Sequence, residues 1–204
     1  MLAGTGSDVG KSILAAAFCR ILKQDGYHPA PFKAQNMALN SYATPEGLEI
    51  GRAQAGQAEA AGVPCHTDMN PLLLKPSSEH TSQVVLLGKP IGDRNVYEYF
   101  RKEGREELRK VVNESYDRLA TRYNPIVMEG AGSISEINLR DVDLVNMPMA
   151  KHAGADVFLV ADIDRGGVFA SVYGSILLQT PEERSLIKGI IINKFRGDIR
   201  LFES

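Results

Sequence analysis

The chain has 204 residues, enough for one sizeable domain that buries roughly 70% of its unfolded surface without disulfide or metal staples. Its 23 basic and 25 acidic residues leave a net charge of −2 with the signs mixed. That balance demands neither a nucleic-acid partner nor an anionic membrane surface, and neither is expected. Cys19 and Cys65 form no CxxC pair and no metal-ligand cluster, no apolar run reaches the about 18 residues of a membrane-spanning helix, and glycine and aspartate stand where a signal peptide would have its apolar core. A cytoplasmic chain with structural thiols is expected.

The first feature in chain order is Gly4-Thr5-Gly6-Ser7-Asp8-Val9-Gly10-Lys11-Ser12. Its glycines let backbone N–H groups turn toward phosphate oxygens at a helix N-terminus. Lys11 is placed to reach the β- and γ-phosphates, and the Ser12 hydroxyl to bind Mg²⁺. Gly6, Ser7, Asp8, Val9 and Gly10 are expected to line ATP between them. The spacing is one residue longer than the standard phosphate loop. Leu14, Ala17, Phe18, Ile21 and Leu22 then predict a helix with that apolar stripe, closed by Gly26.

Apolar runs separated by helical patterns follow, as in a parallel α/β sheet. Strands are predicted at Ala30–Lys33, Val84–Leu87, Ile126–Met128, Val157–Ala161 and Gly189–Asn193, with Pro71–Leu74 a weaker candidate. Glu49 is read as the start of a helix rich in Gly and Ala, whose two glycines imply close approach to a neighbour or a ligand. Leu108, Val111, Val112 and Leu119 mark another helix with a charged solvated face.

Three strand ends carry chemistry. Lys33 ends one strand beside Gln35, Asn36, Asn40 and Ser41. Ligands of parallel sheets bind at such ends. A carboxylate and a γ-phosphate about 4 Å apart repel by roughly 4 kcal/mol per charge pair at an effective dielectric near 20, so a site that joins them needs Mg²⁺ and more than one cation. Lys33 is either that cation or a surface lysine. Glu129 precedes Gly130-Ala131-Gly132 and is either a second support for Mg²⁺ or a solvated, capping glutamate. Arg165, after Asp162 and Asp164, either clamps a substrate carboxylate or pairs with these aspartates. The chain reads as one domain over 1–204, with both ends cut from a longer polypeptide.

Seven ordered stretches resemble the cobyric acid synthase family: 32–41, 49–55, 69–76, 129–133, 136–139, 161–169 and 192–198. The resemblance implies an α/β P-loop NTPase-type three-layer fold with a mainly parallel central sheet, similar to dethiobiotin synthetase. It also implies an ATP- and Mg²⁺-dependent C–N ligase that amidates the b, d, e and g carboxylates of adenosylcobyrinic acid a,c-diamide through acyl phosphates. Ammonia would come from a glutaminase domain of the same polypeptide, missing here. On this resemblance Ser12, Glu49 and Glu129 match magnesium-binding positions, Lys11 and Lys33 match phosphate and reaction-centre lysines, and Asn193 matches the residue that reads adenine. The corrinoid would lie against the Ser133–Asn146 loop. Its expected contacts are Gln35, Asn36, Ser133, Glu136, Asn138 and Arg165. A homodimer is left open. Ile134-Ser135 departs from the Pro-Ala pair of the family.

Cobyrinic acid a,c-diamide synthase and dethiobiotin synthetase are the competing carboxylate-activating readings. A nucleotide switch is a third. Partitioning ATPases carry a signature lysine five residues before the loop lysine, and this chain has Gly6 there.

Overall fold

The computed structural model describes residues 1–78, 81–95 and 105–202. Five short strands form its parallel centre: β1 (Leu2–Gly4), β2 (Ala30–Phe32), β9 (Ile126–Met128), β10 (Val157–Asp162) and β11 (Ile187–Asn193). β2 pairs with β9, β1 with β10 and β10 with β11, all parallel. A Leu2–Glu129 bridge and the Gly130 N–H to Leu2 carbonyl bond join the two sets, giving the order β2-β9-β1-β10-β11. Four of the predicted strands lie here.

Period-two alternation separates the two faces. Leu2 and Val160 face a core shared with Ala15, Cys19, Phe32, Ala58 and Leu119, while Ala3, Leu159 and Ala161 face Met147, Ala150, Val168 and Val172. Helices α1 (Lys11–Gln24), α2 (Arg52–Ala61) and α3 (Arg105–Ala120) supply the first layer, and α4 (Met147–Ala153) and α5 (Val168–Leu177) the second. This is the three-layer α/β arrangement that apolar strands covered on both faces require. None of the described helices is long and apolar enough to cross a membrane.

Val84–Leu87 falls elsewhere. The strands β6 (Leu72–Pro76), β7 (Thr81–Leu86) and β8 (Lys89–Asn95) form an antiparallel meander, with β3 (Gln35–Met37) parallel to β6 on its far side. The β7–β8 link is two residues, Leu87 at φ 47° and Gly88 at φ 78°. Two positive φ values are what a tight hairpin needs, and leucine at the first gives little sign of it in sequence. The weaker candidate, Pro71–Leu74, overlaps β6.

Two helix readings need correction. α1 turns Lys11, Ala15 and Cys19 inward and leaves Ala17, Phe18 and Ile21 exposed. The buried side is the small-residue side because α1 lies directly against α2, where bulkier side chains would not fit. Glu49 does not begin a helix: Glu49–Gly51 is strand β5, antiparallel to β4 (Ser41–Ala43), and α2 starts at Arg52. Close approach is real at Gly51, where a Cβ would lie 2.5 Å from Gln54 Oε1 and 2.6 Å from Asn36 Nδ2. At Gly56 nothing lies within 4 Å.

Candidate active site

The parallel strands end on one edge, which brings together residues far apart in sequence. β1 runs into the phosphate loop, β2 into Lys33, β9 into Glu129, β10 into Asp162 and β11 into Asn193 and Lys194. Gly10 has φ 104°, and a Cβ there would sit 2.1 Å from Asn193 Nδ2, so both its conformation and its neighbour demand glycine. Lys11 begins α1, only 6% exposed. Its ammonium donates to the carbonyls of Gly6 and Gly132, each at 2.8 Å. Burial first, then the neighbouring Lys33, lowers its pKa to about 8 against the pull of Glu129 and Asp8.

Glu129, 2% exposed, is the hub. Its Oε1 accepts from Ser12 Oγ at 2.6 Å and from Lys33 Nζ at 2.7 Å. Its Oε2 accepts from Gln57 Nε2 at 2.7 Å and, at 3.5 Å, from Gln54 Nε2. Lys33 is itself buried, at 8%, so of its two readings the surface lysine falls away, as does the solvated glutamate for Glu129. A buried pair of this kind persists only with its remaining lone pairs and protons satisfied. Asn70 helps by accepting from Gly51 N–H at 2.9 Å and donating to the carbonyls of Lys33 and Leu72. It thereby ties the end of β2 to β5 and β6.

These residues fit a nucleotide phosphate and a hard cation. One hydroxyl and one carboxylate oxygen, 2.6 Å apart, form a donor set that suits Mg²⁺ completed by phosphate oxygens and water. A Cβ on Gly4 would crowd Lys11 Nζ at 2.6 Å and the Gly6 and Gly132 carbonyls at 2.9 Å, so the cradle around the lysine depends on a bare backbone. Among the described residues no three His, Cys, Asp or Glu side chains gather as a metal site.

The other expected site residues divide. Glu49 does not meet Ser12 or Glu129 by any hydrogen bond or ion pair among the described residues; its carboxylate takes Lys75 Nζ at 2.6 Å. Burial would raise its pKa, but hydrogen bonds from Lys75 and Ser41 hold it below the usual value. Gln35, Ser133 and Glu136 line one cavity of about 190 Å³ together with Arg105, Asp143 and Asn146. Asn36 is buried in β3 beside Gly51, and Asn138 is exposed in the short 3-10 segment Ile137–Val142. Arg165 pairs with aspartates: its Nε is 3.4 Å from Asp162 Oδ2 and its Nη2 3.9 Å from Asp8 Oδ2. Asn193 Nδ2 donates to the Val9 carbonyl at 2.8 Å, on the back of the phosphate loop.

Sequence reasoning missed Gln54, Gln57, Asn70, Asn146 and Lys194. Asn146 brackets Ala131 from both sides, its Oδ1 accepting from the N–H and its Nδ2 donating to the carbonyl, and so shapes the Gly-Ala-Gly loop. Lys194 Nζ donates to the Asp8 carbonyl and to Asp162 Oδ2, both at 2.8 Å. The two glutamines offered only a faint signal: polar residues three apart on an alanine-rich helix share one face, without any mark of what that face meets. Both cysteines are buried. Burial pushes the Cys19 thiol up to about 12, and His66 beside Cys65 is occupied with Asp68, as structural thiols would have it.

A buried lysine at the head of a helix, a loop that bares its backbone around it and a carboxylate on the facing strand end define a P-loop nucleotide-binding domain. The chain belongs to the family of the CobQ/CobB/MinD/ParA nucleotide binding domain, which matches residues 1–204. Within that family it is 86% identical over 204 residues to the cobyric acid synthase of Bacteroides fragilis and 85% identical over 204 residues to that of Phocaeicola vulgatus. The cobyric acid synthase of Thermoanaerobacter sp. is 59% identical over 203 residues. Each match takes in 100% of this chain but only 40% or 41% of the relative, so the chain spans about two fifths of their length.

Proposed function

We propose that this chain is the synthetase part of a cobyric acid synthase, activating carboxylates of adenosylcobyrinic acid a,c-diamide with ATP for amidation at b, d, e and g. The observation that carries the reading is the convergence of Ser12 and Lys33 on one oxygen of the buried Glu129, beside Lys11. ATP and Mg²⁺ would supply the phosphoryl group that turns a carboxylate into an acyl phosphate, from which ammonia displaces phosphate.

Each side chain then has a task. Lys11 and the loop N–H groups neutralise and orient phosphate oxygens. Ser12 and Glu129 hold the cation. Lys33 stands as the second fixed positive charge between a phosphate and an incoming carboxylate, where roughly 4 kcal/mol of repulsion per charge pair has to be offset. The nearby cavity, about 190 Å³, is smaller than the about 300 Å³ at which drug-sized pockets begin. It suits one propionate-like arm of a macrocycle, with the ring itself outside. Ammonia would come from a glutaminase in the remainder of a longer polypeptide, consistent with relatives of which the chain covers 41%.

The test is turnover of ATP by this chain with ammonium, with and without the corrinoid, reading corrinoid masses. ADP formation that tracks stepwise carboxylate-to-amide mass changes is expected. ATP hydrolysis indifferent to the corrinoid, with its mass unchanged, would refute the substrate assignment.

A further inference from the structure

Glu129 divides its two oxygens between different parts of the fold. Oε1 meets the phosphate-loop serine and Lys33, whereas among the described residues Oε2 meets only amides of α2. One of those amides does more than satisfy a lone pair. Gln57 Nε2 donates both to Glu129 Oε2 at 2.7 Å and to the Ser12 backbone carbonyl at 3.2 Å. A single nitrogen therefore bridges the residue that offers the hydroxyl and the residue that offers the carboxylate.

Two acceptors on one nitrogen fix which end of the amide faces the site. The consequence is a buried carbonyl oxygen, Gln57 Oε1, with no hydrogen-bond partner among the described residues, and Gln54 Oε1 shares that fate. Gln54 is 0% and Gln57 1% exposed. An unsatisfied buried acceptor costs about 1–3 kcal/mol, and α2 is elsewhere lined with alanines that pack without such a penalty. Packing alone gives no reason for glutamine here.

We infer that Gln57 is a positioning residue for the cation site, setting the separation and orientation of Ser12 and Glu129 so that Oε1 alone is presented to the metal. Gln54, at 3.5 Å, is its weaker second. This rests on the reading that Ser12 and Glu129 hold Mg²⁺. Removing the donor frees Glu129 to turn, and the charge-assisted bond lost is of the stronger class.

The experiment measures binding of ATP to the 204-residue chain by calorimetry, once with Mg²⁺ and once in EDTA, and takes the ratio of affinities. Gln57→Met keeps the side-chain volume and removes the donor. Its ratio is expected to fall about tenfold, a 1.4 kcal/mol effect, with the EDTA affinity within about twofold of the parent protein. Gln54→Met should lower the ratio less. Ser12→Ala and Glu129→Gln serve as controls and should abolish the metal preference. If they keep it, the reading of the metal site fails. If they lose it while Gln57→Met keeps the parental ratio, the metal site stands and Gln57 is mere packing. A uniform loss in both buffers would likewise assign Gln57 to the fold alone. Should Gln57→Met not melt as a folded protein, Gln57→Asn, which withdraws the amide by one methylene, takes the same measurement with the same outcomes.

Discussion

Replacing Glu129 by Gln tests whether the hub holds the site together. The substitution keeps the shape and removes the charge. Either orientation of the new amide sets its NH₂ against a donor: Ser12 and Lys33 on one side, Gln57 and Gln54 on the other. Lys33, with 10% of its side chain exposed, also loses its counter-charge. Breaking one partner out of a buried pair costs about 3–5 kcal/mol. For a domain of this length each kcal/mol moves the melting temperature by about 2–4 °C, so Glu129→Gln should melt roughly 6–20 °C lower. The double variant Lys33→Met/Glu129→Gln removes both charges and should recover most of that loss, because a neutral pair of similar volume carries no stranded charge. Thermal unfolding followed by circular dichroism at pH 7 decides it. A single variant that melts within about 2 °C of the parent protein, well inside the predicted shift, would refute a buried Lys33–Glu129 pair. So would a double variant no more stable than the single one.

Three further outcomes follow from the loop. Lys11 has its pKa lowered to about 8, whereas a bound anion favours the charged form, so ATP binding near pH 8 should take up protons and weaken as pH rises from 7 to 9. Calorimetry in two buffers of different ionisation enthalpy reads that uptake, and its absence, or its survival in Lys11→Met, would contradict the assignment. Gly10→Ala places a Cβ 2.1 Å from Asn193 Nδ2 at φ 104°; strain of roughly 1–3 kcal/mol should lower the melting temperature and reduce ATP affinity more than about tenfold, and normal affinity would show the loop to be less constrained. The Lys194 hydrogen bond, helped by Asp164 N–H and Arg165, holds the Asp162 carboxyl below its usual range despite burial. A depressed carboxylate stabilises above its unfolded pKa and loses that contribution as pH falls through the folded one. Lys194→Met should therefore lose less stability on acidification than the parent protein, and parallel melting curves from pH 6 to pH 3 would count against the contact.

The sequence carried the site where the chemistry was contiguous or sat at a strand end. Gly4 to Ser12 could be read because the loop is continuous, and Lys33 and Glu129 because parallel strands bring their carboxyl ends to one edge. Gln54 and Gln57 escaped because nothing in a run of alanines says which face meets a carboxylate 72 residues away. The inward face of α1 was misjudged for a related reason. Two helices in direct contact bury Ala15 and Cys19 and leave Phe18 and Ile21 outside, a choice made by the neighbour and not by apolarity. The antiparallel meander rests on Leu87 in a left-handed conformation, which residue type does not advertise. Glu49, expected at the metal, lies in a strand antiparallel to β4 and pairs with Lys75 of β6, a partner 26 residues away that its own neighbours in sequence do not announce.

The claim at the centre of this account is that ATP is spent on a carboxylate. Corrinoid labelled with ¹⁸O in its carboxylates tests it directly, with ATP, Mg²⁺ and ammonium supplied to the chain. The account predicts that the inorganic phosphate carries one labelled oxygen for each amide formed, since the carboxylate oxygen leaves with the phosphoryl group. Amide accompanied by unlabelled phosphate would contradict it.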